Sequence, residues 1–115
     1  MGTAVYTKLK SMYFGEEASR RTQEILSALK EGKTMPGLYL ITFAQSGTEQ
    51  LDIVPSFTLI QKTVRRRLPV IAGAAIGRSE AMELVAEMAS EAMKETGDCR
   101  LQEYLLQRYG TEELR

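Results

Sequence analysis

The chain has no histidine, no tryptophan and a single cysteine among its 115 residues. Each absence removes a class of chemistry. Without histidine there is no Ser-His-Asp or Cys-His relay and no imidazole ligand for a metal. One thiol, Cys99, forms neither an intrachain disulfide nor a thiolate zinc site. Five Tyr and three Phe are too few for the stacking platforms that hold single-stranded nucleic acid. The longest apolar run, residues 70–76, is interrupted by Gly73 and falls far short of the about 20 residues of a membrane span. Residues 1–14 carry Lys8 and Lys10 but no apolar run of secretory type. The closing Glu113-Leu114-Arg115 is not a lipidation motif. These absences give the expectation of a cytoplasmic protein with no metal, no cofactor and no membrane partner.

What is present is ordinary for one folded domain. Hydrophobic residues make up 43% and charged residues 26%. A chain of this length buries roughly two-thirds of its unfolded surface. Residues 1–115 are therefore read as a single domain. The formal net charge is zero, but the zero is a cancellation. Residues 1–79 hold 11 Lys and Arg against 6 Asp and Glu, giving +5, and residues 80–115 hold 4 against 9, giving −5.

Hydrophobic spacing sets the elements. In residues 3–13, Val5, Leu9 and Met12 repeat at helical spacing, although Val5-Tyr6-Thr7 also suits a strand, so this segment stays uncertain with a short helix as the reading. Residues 16–31 read as a helix with Ala18, Thr22, Ile25 and Leu29 on one face, stopped by Gly32. Glu16–Arg20 and Glu17–Arg21 stand there at i,i+4, acid first. Residues 38–44 and 50–54 read as a hairpin around Ser46-Gly47, and Pro55 stops the second strand. Ser56 is placed as the N-cap of a helix to about Arg66, with Phe57, Ile60 and Val64 facing inward; the rival reading extends residues 57–61 as a strand. Residues 70–76 have the near-continuous apolar character of a strand buried on both faces. A helix over residues 80–96 follows, with Ser79 as N-cap, Gly97 as stop, and Ala81, Leu84, Val85, Met88, Ala92, Met82 and Met93 as its apolar side. Asp98 is placed as the cap of a last helix over residues 99–109, and residues 111–115 are expected to fray. The sum is an α+β fold: a small three-stranded sheet, hairpin plus one buried strand, covered by four to five helices. The third strand is expected parallel to the second and beside the first, in the spatial order 2-1-3, with two exposed edges that invite a second copy.

Three features are site-like. The turn Gly77-Arg78-Ser79 joins the buried strand to a helix N-terminus, where free N–H groups attract anions. It lacks a P-loop lysine, and Glu80 and Glu83 nearby repel phosphate. Lys62, Arg65, Arg66 and Arg67 gather at a helix end. Cations are favourable there without any ligand, and with no interleaved aromatic and a neutral chain they argue for protein contact over nucleic acid. Glu80, Glu83, Glu87 and Glu91 step by three, four and four along one helix face. Carboxylates so spaced can hold two metals in a bundle, but that chemistry also uses histidine; the stripe reads as solvated or paired with cations. The functional expectation is a non-enzymatic protein-interaction module that self-associates, a homodimer first and another protein second. The alternative is a module that binds a small anionic ligand at Gly77-Arg78-Ser79.

Overall fold

The computed structural model describes residues 6–45, 50–98 and 100–114. Five strands, β1 (Tyr6–Phe14), β2 (Leu38–Phe43), β3 (Leu51–Pro55), β4 (Ile71–Ile76) and β5 (Thr111–Leu114), form one mixed sheet in the order β3-β2-β4-β1-β5. The helices are α1 (Thr22–Glu31), α2 (Lys62–Arg67), α3 (Arg78–Thr96) and α4 (Leu101–Tyr109), and two 3-10 turns, Ala18–Arg20 and Ser56–Ile60, precede α1 and α2.

The α+β class and the central topology follow the sequence. β3-β2-β4 is the expected order 2-1-3, and β2 runs antiparallel to both neighbours, so β3 and β4 point the same way. β4 is buried on both faces, with Ile71, Ala72, Ala74 and Ala75 wholly inside. Its small side chains let layers close in on either side. On one face α3 and α4 cover a core of Leu9, Ile41, Phe43, Leu84, Met88 and Leu105. On the other, α1, α2 and the two 3-10 turns cover Tyr6, Ile25, Leu29, Leu40, Leu59 and Ile71.

The sheet has five strands where three were expected. The first added strand is β1. Its helical-looking spacing overlaps a period of two, with Tyr6, Met12 and Phe14 packed on one face and Leu9 and Tyr13 on the other. A strand buried on both faces needs a neighbour on each side, and β1 takes the side the hairpin leaves open, parallel to β4. Its ladder is irregular between Lys8 and Tyr13. There Gly73 admits the β1 backbone so closely that a Cβ would lie 2.8 Å from the Tyr13 carbonyl oxygen. The second added strand is β5, formed by the tail expected to fray. It lies antiparallel on β1, with Tyr6 opposite Leu114 and Lys8 opposite Glu112. The ammonium of buried Lys8 meets the Glu112 carboxylate at 2.7 Å and donates to the Leu9 carbonyl at 3.1 Å.

Local geometry differs in four more places. The helix expected over residues 16–31 breaks at Arg21 (φ −131°, ψ 28°) into a 3-10 turn and α1. Arg21 then pairs with Glu24 at 2.8 Å instead of with Glu17. Residues 56–66 likewise split at Gln61 (ψ 124°) into a 3-10 turn and α2. Three residues per turn bring Ser56 and Leu59 to the sheet, so Phe57 and Ile60 are 65% and 70% exposed rather than inward. The Ser56 hydroxyl donates to the Met35 carbonyl at 3.2 Å and caps no helix. α3 begins at Arg78, with Gly77 (φ 92°) and not Ser79 at the cap. Only Ala81, Leu84, Met88 and Ala92 of α3 are buried; Met82 and Met93 are exposed. α4 starts at Leu101, and Asp98 accepts the Arg100 N–H at 3.1 Å. Cys99 and the expected Ser46-Gly47 turn lie outside the described residues.

Candidate functional site

The turn Gly77-Arg78-Ser79 opens into a cleft of about 470 Å³ between α3 and the turn that follows β1. Arg78 and Ser79 are exposed at its rim. An anion of the chain's own already stands beside the turn. Glu80 folds back, and its Oε2 accepts the N–H of Ile76 at 2.8 Å and of Ala18 at 3.2 Å, while Oε1 accepts the N–H of Glu17 at 2.9 Å. Burial pushes the Glu80 pKa up, but the three backbone donors, Ile76, Glu17 and Ala18, together outweigh it, and the carboxyl titrates below the usual glutamate range. Gly15 makes room for this arrangement, since a Cβ there would fall on the Glu80 side chain. Glu16, Glu83 and Glu87 also line the cleft, so Arg78 stands against four carboxylates.

The carboxylate stripe of α3 is thus divided. Glu83 and Glu87 are exposed. Glu80 and Glu91 are tethered. Glu91 accepts the Tyr104 hydroxyl at 2.8 Å and the Tyr13 hydroxyl in a closer bond. The Tyr13 and Tyr109 hydroxyls are 3.0 Å apart. Since Tyr13 spends its proton on Glu91, Tyr109 is the donor between them. The guanidinium of Arg108 in turn donates to the Tyr109 oxygen at 3.2 Å and lies 5.6 Å from the ring centroid. The Tyr13 and Tyr109 rings meet edge to face. Burial first, then the bonds to Glu91 and Tyr109, raises the Tyr13 pKa well above its ordinary value. Burial and Glu91 push Tyr104 up to about 12. At neutral pH these two phenols are proton donors, not bases, and they tie β1, α3 and α4 together. Sequence spacing hides this cluster, because its members are joined by tertiary packing alone.

The basic run sits on the opposite face of the sheet. Val64 and Leu68 pack toward α1, while Lys62, Arg66 and Arg67 are exposed and Arg65 is half-buried within reach of Tyr6. Among the described residues no ion pair joins Lys62, Arg65, Arg66 or Arg67 to a carboxylate. The basic run and the α3 carboxylates therefore form no ion pair among the described residues, and the two charge blocks meet at the β5 edge of the sheet, through Lys8 and Glu112.

A fourth surface takes in Met82 and Met93, which with Met88 form the soft, adaptable side of this helix in the sequence; Met88 is core, and the other two are exposed. α4 packs on α3 and β1, and Glu91 turns toward that side. The other flank of α3, above β2 and β3, has no helix beside it among the described residues. Met82 (56%), Ala86, Ala89 and Met93 (44%) are exposed along it. Beneath them Tyr39, Leu51 and Ile53 are only half-buried. No described group of acids or thiols is arranged to hold a metal ion. No described helix is long and apolar enough to cross a membrane. In comparisons with protein families, curated proteins and solved structures, nothing matches this chain.

Proposed function

We propose that the protein is a non-catalytic interaction module of the cytoplasm that works by associating with a second copy of itself. The observation that carries this reading is the uncovered flank of the sheet. An apolar edge of α3 lies open there beside half-covered residues of β2 and β3. Contiguous exposed apolar surface of this kind marks a contact site, and Met side chains adapt to a partner's shape. The groups that could do chemistry support the same reading. Glu80 and Glu91 are held in hydrogen bonds, and Tyr13 and Tyr104 are kept protonated. Anion binding at Gly77-Arg78-Ser79 has less support, because Glu80 already serves the nearby backbone donors and the cleft is acidic.

Sedimentation velocity from low to high micromolar concentration tests the proposal. The expected result is a mass that rises from monomer to dimer. A monomer throughout that range refutes it. A thermal-shift series with phosphate and nucleotides tests the anion reading separately; stabilisation abolished by Arg78→Ala would restore it.

A further inference from the structure

We propose that two copies pack α3 against α3, antiparallel, about a two-fold axis that passes between Glu87 and Met88; this rests on the self-association reading and names its surface. Ser79, Met82, Ala86, Ala89, Met93 and Thr96 follow one another at intervals of 3, 4, 3, 4 and 3, the a/d alternation of a coiled-coil seam. All six are exposed. They are distinct from the buried stripe Ala81, Leu84, Met88 and Ala92. A helix that only covers its own sheet needs the second stripe alone.

The seam reads the same in both directions: hydroxyl, methionine, alanine, alanine, methionine, hydroxyl. Antiparallel pairing sets Ser79 against Thr96 of the second copy, Met82 against Met93 and Ala86 against Ala89. A two-fold contact requires this self-complementarity, because each patch must fit itself. A different partner would impose no such symmetry. The two alanines let the helix axes approach toward the near end of the usual range of about 8–10 Å, and the methionines fill the space at either end.

Three further observations favour a second copy. The same pairing brings Arg78, exposed and with no ion-pair partner among the described residues, level with Gly97 and Asp98 at the carbonyl end of the other α3, where a cation is favoured. Glu83, on the shoulder of the seam, falls near Ser90 of the second copy and not near another carboxylate. The β3 edge lies on this flank as well. The Ala44 N–H donates to the Gln50 carbonyl at 2.9 Å. By alternation along the β2–β3 ladder, Leu51 and Ile53 then turn their N–H and C=O groups outward. A two-fold standing near the sheet normal presents these two edges to each other antiparallel.

The experiment combines sedimentation with disulfide trapping in a Cys99→Ser background. Ala86→Glu, an exposed substitution that should leave the helical circular dichroism unchanged, is expected to abolish the dimer. Met82→Cys mixed with Met93→Cys is expected to oxidise to a covalent dimer, and neither variant alone should do so. Two copies of residue 82 stand about 16 Å apart along the seam at 1.5 Å per residue, beyond the about 7 Å a disulfide spans. A wild-type dimer that survives Ala86→Glu, or single-cysteine variants that cross-link as readily as the mixture, overturns this pairing and leaves self-association standing. A wild-type monomer overturns both.

Discussion

Glu80→Gln isolates the bond set that fixes the start of α3. The substitution keeps size and shape and removes charge. Both Ile76 and Ala18 donate to Oε2, and Glu17 donates to Oε1. The amide can keep its oxygen at the Oε2 position and hold two bonds as neutral ones. Its NH₂ then faces the Glu17 N–H, donor against donor. Hydrogen bonds to a charged group contribute about 1.5–3 kcal/mol and neutral ones about 0.5–1.5. The loss of charge on two bonds and of the third bond altogether gives roughly 3.5–6 kcal/mol, which partial exposure of the site reduces to about 2 kcal/mol. For a domain of this size that is a fall in Tm of about 6–10 °C.

Thermal unfolding followed by circular dichroism measures it, at a concentration low enough to keep association out of the transition. The pH dependence is the sharper half of the test. The folded pKa of Glu80 is depressed, so its contribution is present above the unfolded value of about 4.3. It disappears as pH falls through the lower folded value. The gap between wild type and Glu80→Gln must therefore be full at neutral pH and close in acid. A difference below about 0.5 kcal/mol at neutral pH, within the range of an ordinary surface change, would refute the account. So would a gap that persists undiminished when both forms are neutral. Gly15→Ala should reproduce much of the loss, because its methyl displaces the same carboxylate.

Gly73→Ala places a methyl 2.8 Å from the Tyr13 carbonyl oxygen, and overpacking of this kind costs about 1–3 kcal/mol; urea unfolding should show a lower midpoint at unchanged slope. Tyr104→Phe removes one of the two phenol donors to Glu91 and should cost about 1–2 kcal/mol. In the wild type, phenolate absorbance should show Tyr104 titrating near 12 with Tyr13 later still. The folded pKa values are raised, so the stability these groups add is present below the ordinary tyrosine value of about 10 and is lost as pH rises through the folded values. Glu112→Ala takes the carboxylate from buried Lys8, and hydrogen exchange should quicken at the β1–β5 amides while α1 is unaffected. Phe57→Ser and Ile60→Ser, at positions 65% and 70% exposed, should change stability by less than about 0.5 kcal/mol. A large loss at either would mean that the 3-10 turn packs differently.

The parts of the fold legible in the sequence were those whose signal is local. The all-apolar β4, the hairpin partners β2 and β3, and the stops at Gly32 and Gly97 follow from composition, period and caps. β1 and β5 were not legible in this way. Val5, Leu9 and Met12 fit a helix in isolation, and only the open side of β4 makes a strand the better choice. Residues 111–114 are held by partners on β1, above all Lys8 and Tyr6, that lie more than a hundred positions away. The turn after Pro55 misled because a 3-10 turn and an α-helix share their first residues but rotate their faces differently. At the candidate site, the stripe Glu80, Glu83, Glu87 and Glu91 was visible as spacing. Its division into tethered and free carboxylates was not, since the donors come from β1, the turn after it, β4 and α4.

The division of charge across the sheet restricts what electrostatics can contribute to assembly. The cluster of free cations belongs to α2 on one face, and the exposed carboxylates Glu83 and Glu87 belong to α3 on the other. A contact between them joins unlike surfaces, so it is heterologous and continues from copy to copy unless the rotation closes a ring. An isologous pair needs a surface that matches itself, and the seam of α3 does so. The cations of α2 therefore remain outward when two copies join through α3. Standing on the far side of the sheet, they lie beyond the roughly 10 Å reach of charge at 0.1 M salt, so the apolar seam and not these cations sets how long the pair lasts.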